Sequence, residues 1–312
     1  MKTVLVTAVG GDIGYGIVRA LRAADYDLRI IGCDIRDYNA SRDLVDVFHV
    51  CPPYRNATDW LAFIRKALKE ESCDYLWPVS EPEIRLLPDE GDSLSPVRVV
   101  MNTPEVLDVA LDKKRTADFL LSHDIKAPAT VLPGEDVVFG FPRVLKEREG
   151  YGSHGVEIAR DEAAQNAALE RMRDPVIQEY VGSPGEEYTM TVFSDGDCVN
   201  HIAFRRTLGF GGMSRYVELV QDEALFVIAE RIAGAFHLQG SVNVQLRKQG
   251  DDYYVFEINP RISSTIGFRR QLGFNDVLWW LDLLEGRKIA PYIAPEGRIH
   301  GARVLDEKLF FD

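Results

Sequence analysis

The sequence predicts a mixed fold: an N-terminal parallel α/β domain followed by two α+β lobes. Three observations predict it. Over the first hundred residues, short apolar runs alternate with helix-like segments, the pattern of strands joined by crossover helices. Beyond about residue 105 short β-rich runs replace that alternation. Near the C-terminal end two adjacent strands each carry one apolar face and one polar face. The expected domains are residues 1–105, 106–180 and 181–312.

In order, TVLVT reads as a strand, IGYGIVRALRAA as a helix and LRIIGCDI as a second strand. The helix WLAFIRKALKEE and the strands DYLWPV and VRVVM follow. NTPEVLDVALDKKRTADFLLSHDI reads as one or two helices, with Thr103 or Asp112 as caps. Next come PATVL, FPRVLKERE and GVEIAR as strands, a helix around DEAAQNAALERM, and the strand PVIQEYV. The last third holds strands YTMTVFS, CVNHIAFRR, SVNVQLRK and YYVFEINP, with the helix DEALFVIAERIAGAFHL among them.

Composition excludes several classes. The 312 residues carry 36 Lys and Arg against 49 Asp and Glu, a net charge of -13, which disfavours nucleic acid as a partner. Hydrophobic residues make up 46%, enough for a packed core, so disorder is excluded. The apolar stretch around Trp279 and Trp280 is interrupted by Asp276 and Asp282, far short of the roughly 20 residues of a membrane span. No signal-peptide pattern opens the chain. Cys33, Cys51, Cys73 and Cys198 form no CxxC pair, which fits a reducing, cytoplasmic setting rather than a zinc knuckle or disulfide framework.

After the first strand come Gly10, Gly11, Gly14 and Gly16, then a helix, with Asp34 ending the second strand. Such a turn leaves a helix N-terminus open to an anion. It reads either as a dinucleotide site with Asp34 on a ribose, hence a nicotinamide-dependent oxidoreductase, or as a strand-to-helix turn needing only backbone freedom.

The hairpin SVNVQLRKQGDDYYVFEIN carries the strongest signal. Period two puts Val242, Val244 and Leu246 on one face and Asn243 and Gln245 on the other. On the second strand, Tyr254, Phe256 and Ile258 fall opposite Val255, Glu257 and Asn259. Carboxylate and amide oxygens on neighbouring strands suit Mg2+, which takes few protein ligands and leaves positions to water and phosphate. A solvated sheet face would give the same row. Arg261 follows two residues on, available to an anionic oxygen. Upstream, Lys146 ends a strand beside Gly150, Gly152, Ser153, His154 and Gly155, a combination suited to phosphates. Lys113 opens a helix and offers a second charge.

The order of these pieces is specific. DK before a helix, VLKEREGYGSHG, QEYVGSPGEEY and VNVQ…FEINPR together resemble the ATP-grasp superfamily, in particular its carbamoyl-phosphate-synthase-like branch. The resemblance runs from about residue 1 to 290. It implies a pre-ATP-grasp α/β domain and two lobes that grip ATP. Lys113 and Lys146 would hold phosphates under the Gly150–Gly155 loop. Glu179 and Val181 would meet adenine through their backbone, and Glu187 the ribose. Gln245, Glu257 and Asn259 would coordinate Mg2+, Glu257 bridging two ions, with Mn2+ as a substitute. Arg261, with Lys146, would serve the transferred phosphoryl group.

The resemblance implies an ADP-forming ligase that joins a small carboxylate to an amine or similar nucleophile through an acyl phosphate. One such set is present where a carbamoyl phosphate synthase large subunit has two, so carbamoyl phosphate synthesis itself is not expected. Candidate substrate contacts are Arg205, Arg206, Arg269 and Arg270, which suit carboxylates, and Glu81 and Glu83 for an amino group. A non-catalytic nucleotide-binding protein of the same fold is a further alternative. Neither membrane nor nucleic acid is expected as a partner. Charge leaves the oligomeric state open, a homodimer included.

Overall fold

The computed structural model describes residues 1–24, 26–150 and 155–304. The chain divides into two compact units, Met1–Asn102 with Arg261–Ala294, and Thr103–Pro260 with Pro295–Arg303.

In the first unit, β1 (Lys2–Val6), α1 (Asp12–Arg22), β2 (Leu28–Asp34), β3 (Val47–Val50), α2 (Ala57–Glu70), β4 (Tyr75–Trp77), α3 (Glu81–Leu86) and β5 (Arg98–Val99) follow in order. The strands form a parallel sheet ordered β3-β2-β1-β4-β5. Val4, Leu5 and Val6 are wholly buried, as a central parallel strand covered on both faces requires. Asn56 caps α2, its side chain accepting from Asp59 N–H, and the helix buries Trp60, Ile64, Ala67 and Leu68 against the sheet.

The glycine turn is a packing device. A Cβ on Gly14 would stand 2.3 Å from the Ala8 carbonyl oxygen and 2.7 Å from Val9 Cα, so only glycine lets α1 lie this close to the turn that leaves β1. Asp34 Oδ2 accepts from Gly10 N–H at 2.8 Å and Oδ1 from Arg36 N–H at 3.1 Å. Both oxygens of the residue considered for a ribose therefore hold the turn together.

The second unit continues with α4 (Pro104–Ala110), α5 (Lys113–Ser122), β6 (Thr130–Val131), β7 (Arg143–Glu147), β8 (Glu157–Ala159), α6 (Glu162–Leu169) and β9 (Pro175–Glu179). Then come β10 (Glu187–Asp195), β11 (Val199–Leu208), β12 (Ser214–Val220), α7 (Glu223–Phe236), β13 (Gln239–Gln249) and β14 (Asp252–Asn259). Thr103 stands at the N-cap position of α4 without a side-chain capping bond, and Asp112 caps α5, its side chain accepting from Lys114 and Arg115 N–H. A four-stranded sheet, β6-β9-β7-β8, faces the cavity described below. A six-stranded antiparallel sheet runs β14-β13-β10-β11-β12 and ends on β15 (His300–Ala302). One face of this larger sheet presents Met190, Val192, Val242, Val244, Leu246 and Ile258 to Leu225, Ala229 and Ile232 of α7. The other face carries the polar residues.

Residues 261–294, expected within the last lobe, group with the first unit. There α8 (Ile266–Gln271) and α9 (Asp276–Leu284) pack on α1. The close approach is sequence-encoded: a Cβ on Gly16 would meet Ile266 Cγ2 at 2.3 Å, and Trp280 stacks edge-on against Trp77 at 6.1 Å. No helix among the described residues is long and apolar enough to cross a membrane.

A Gly→Ala change inside a helix ordinarily stabilises by about 1 kcal/mol. Gly14→Ala should instead destabilise by about 2 kcal/mol or more, because the methyl meets backbone. Chemical denaturation of the variant checks the sign; a gain in stability would contradict the packing described.

Candidate active site

Between the two sheets of the second unit lies a cavity of about 250 Å³. Lys113, Lys146, Gly150, Glu179, Val181, Glu187, Arg206, Gln245 and Glu257, all singled out in the sequence, line it. Gly155 adopts a positive φ of 68° and is not in the lining. Gly152, Ser153 and His154 lie outside the described residues.

Lys146 is placed by strand alternation. On β7, Leu145 points into the small core with Ala159 and Ala168, so Lys146 points the other way, buried in the cavity wall. Its Nζ donates to the Phe256 carbonyl at 3.2 Å and lies 5.5 Å from the Phe256 ring centre. Burial, aided by the charges of Lys113 and Arg247, pulls its ammonium down to about 8, although Glu257 favours the charged form.

Lys113 occupies the first turn of α5, the end of a helix that repels cations. It is held there by other contacts. Its N–H donates to Arg148 O at 3.1 Å and its Nζ to Gly150 O at 2.6 Å, while Arg148 pairs with the capping Asp112 at 2.7 Å. A lysine and a helix N-terminus thus add their fields at one spot, which favours an anion.

The polar row stands on β13 and β14. In register, Asn243 faces Asn259 and Gln245 faces Glu257. Asn259 Nδ2 donates to Glu257 Oε1 at 3.0 Å. Desolvation would raise the Glu257 carboxyl, but Lys113 and Lys146, joined by Asn259 and Arg206, hold it below the usual carboxylate range. Glu257 is therefore an ionised carboxylate facing two ammonium groups.

The strict alternation expected of β14 does not hold. The register shifts after Gln245, so that Leu246 pairs with Val255 and Phe256 is the extra residue of a β-bulge. Val255, expected beside Glu257 and Asn259, is turned into the core with Ile258, and Phe256 joins Glu257 in the cavity wall. The bulge leaves the Phe256 carbonyl to Lys146.

Glu187 has a different setting from the ribose contact expected of it. Arg206 donates to its Oε1 from Nε at 3.2 Å and Nη2 at 2.9 Å; Arg247 donates to Oε2 at 3.4 and 3.1 Å. Four N–H donors fill its acceptor positions, so a ribose hydroxyl would have to displace one. Arg206 also donates to Gln245 Oε1 at 3.0 Å. Arg247, which shares the β13 face with Gln245, and Phe256 are cavity residues the sequence reading passed over. Period two already places Arg247 beside Gln245. Nothing in the sequence announces the bulge.

The remaining candidates stand apart from this cavity's lining. Arg205 is exposed and pairs with Glu186 at 2.9 Å. The other five belong to the first unit. Arg261 Nη2 pairs with the buried Glu81 at 2.9 Å. Glu83 accepts from Thr7 Oγ1 at 2.8 Å and from Ser80 N–H at 3.1 Å, capping α3, and burial pushes its carboxyl up. Arg269 is fully buried, spent on both oxygens of Asp276 at 2.9 Å and on Ser263 and Thr265. It braces the α8–α9 connection and has no face for a substrate carboxylate. Arg270 is half-buried on α8.

This arrangement of sheets is an ATP-grasp fold. A family model described as "ATP-grasp in the biosynthetic pathway with Ter operon" matches residues 171–307. The biotin carboxylase domain of the Hydrogenobacter thermophilus 2-oxoglutarate carboxylase superposes with a TM-score of 0.78 at 18% identity, over 97% of this chain and 74% of that one. The Bacillus licheniformis L-amino acid ligase gives 0.72 at 15%, over 91% and 74%. The carbamoyl phosphate synthase large chain of Thermoanaerobacter pseudethanolicus is 25% identical over 57% of this chain and 18% of its own length. That of Bifidobacterium longum is 24% identical over 83% and 26%. The chain has an ATP-grasp fold, matches an ATP-grasp family model over residues 171–307, and is similar to carbamoyl phosphate synthase large chains, spanning about a quarter or less of those relatives' length.

Removing one partner of a buried ion pair leaves an uncompensated charge. Glu187→Ala should therefore cost about 3–5 kcal/mol of stability in urea denaturation. A loss under 1 kcal/mol would show that the two arginines do not depend on it.

Proposed function

We propose that the protein is an ATP- and Mg2+-dependent, ADP-forming ligase that joins a small carboxylic acid to an amine or similar nucleophile through an acyl phosphate. One observation carries the reading: in a single cavity, two buried lysines face an ionised Glu257 with Gln245 opposite it in register, and the buried Asn259 donates to that carboxylate from behind the lining. That is a setting for a polyphosphate and a divalent ion. The named activities of the similar proteins point the same way, and a homodimer accords with the dimer named for the Hydrogenobacter domain.

The donor set fits a hard ion. It offers a carboxylate and two amide oxygens on adjacent strands, and among the described residues no group of three His, Cys, Asp or Glu is assembled. Such a sparse set suits Mg2+, which keeps its remaining positions for water and phosphate, better than an all-protein cage. When bound, the ion would neutralise charge on the terminal phosphate oxygens.

The chain's own residues supply the rest. Lys113 and Lys146 hold the phosphates and draw off the charge that builds as the carboxylate attacks. Glu179 and Val181 present backbone groups to the adenine edge, with Phe256 and Ile158 giving apolar cover. Glu187 acts through the two arginines it holds. The resemblance gives Arg261, two residues after Asn259 along the chain, to the transferred phosphoryl group; here its guanidinium pairs with Glu81. An acyl phosphate is readily hydrolysed, so the apolar lining also protects it from water.

Incubation with ATP, Mg2+ and panels of small carboxylates and amines should release ADP only when a matching pair is present. Failure to bind ATP, by calorimetry, would end this reading. Binding without turnover on any panel would favour the non-catalytic alternative. Glu257→Gln should lower kcat by about 100-fold or more. Nucleotide affinity should be greatest below pH 8 and fall as the pH rises through about 8, where free Lys146 loses its proton. Lys146→Arg should flatten that profile, since a guanidinium stays charged.

A further inference from the structure

One of the two arginines held by Glu187 lies against the metal row itself. Arg206 is buried, with its side chain only 6% exposed, and its Nη2 bridges two acceptors, Glu187 Oε1 at 2.9 Å and Gln245 Oε1 at 3.0 Å. Its charge also reaches Glu257, helping to hold that carboxyl low. Gln245 faces Glu257 across the ladder, so its Oε1 is one of the three side-chain oxygens the metal row offers. That oxygen is already claimed. A dication bound to it would sit against a permanent guanidinium charge, an arrangement both ions resist. Glu187, the other carboxylate at this end, has its acceptor positions filled by Arg206 and Arg247. Glu257 and Asn259, whose amide donates to that carboxylate, are the other metal-binding side chains of the row, enough for one Mg2+-like ion with water and phosphate completing its shell.

Resting on the reading of this cavity as an ATP site, we propose that Arg206 takes the place of one of the two dications. The site then holds a single divalent ion, on Glu257 and Asn259, and the Arg206 guanidinium supplies the second positive centre to the phosphate chain. Arginine is suited to this because its planar fork pairs with phosphate oxygens and does not lose its proton. Glu187 and Arg247 are positioning residues in this scheme. Glu187 fixes the guanidinium, and Arg247 shares the carboxylate so that Arg206 is not fully neutralised.

The test is a metal count. The full chain is equilibrated by dialysis with Mn2+ and a non-hydrolysable ATP analogue, and bound Mn2+ and bound nucleotide are each measured per chain. One Mn2+ per bound nucleotide is expected, and two would overturn the proposal. Arg206→Met, which frees Gln245, should raise the ratio to two, whereas Arg206→Lys should keep it at one. A ratio of one in a folded Arg206→Met protein would overturn Arg206 as the excluding charge. The unsubstituted chain decides the ion number even if Arg206→Met does not fold. No nucleotide bound by the unsubstituted chain would overturn the ATP-site reading and this proposal with it. Nucleotide bound with two ions would overturn this proposal alone.

Discussion

Glu257 is a carboxylate in a wall that desolvates it, which by itself pushes its carboxyl up. It stays ionised because Lys113 and Lys146 stand near it and Asn259 donates to it. The dependence runs both ways, since Glu257 also opposes the desolvation that lowers Lys146. The fold of the second unit can be understood as the means of holding these charges at short range. One lysine comes from the start of α5, one from a strand of the four-stranded sheet, and the carboxylate from β14 of the larger sheet. Each is anchored by apolar packing on the opposite face of its own element, as Leu145 anchors Lys146 and Ile258 anchors Glu257.

A second layer of charge is paired within itself, two guanidiniums on one carboxylate, and keeps a net positive charge. Glu187, Arg206 and Arg247 satisfy one another and leave Gln245 tied to a guanidinium. The first layer is left with an excess of positive charge, two lysines against one carboxylate. In the proposed reading a polyphosphate would offset that local excess. Apolar groups such as Phe256, Val181 and Ile158 complete the wall and lower its dielectric, strengthening each of these interactions.

Much of this was legible before any coordinates. Period two separates Gln245, Glu257 and Asn259 from the core face without reference to any family, and strand-end placement marks Lys146. The parallel N-terminal sheet and both N-cap positions, Thr103 and Asp112, follow from local pattern. What escaped is non-local. The three-residue β15 depends on β12, far back along the chain. The bulge at Phe256 is a property of two strands in register. Arg269 reads as a substrate contact because nothing near it in sequence reveals how deeply Asp276 and the Ser263–Thr265 turn enclose it. Arg206 and Glu187, nineteen positions apart, become a pair only when β10 and β11 meet.

The return of residues 261–294 to the first unit has a genetic consequence. Neither unit is one uninterrupted stretch of coding sequence. Cutting after Asn102 would strand Gly16 without Ile266 and Trp77 without Trp280, exposing an apolar groove on α1. Cutting out 103–260 would strip β12 of its edge neighbour β15. Recombination that shuffles such folds between genes must therefore carry both units as a single cassette, and the two have to evolve as one inherited block.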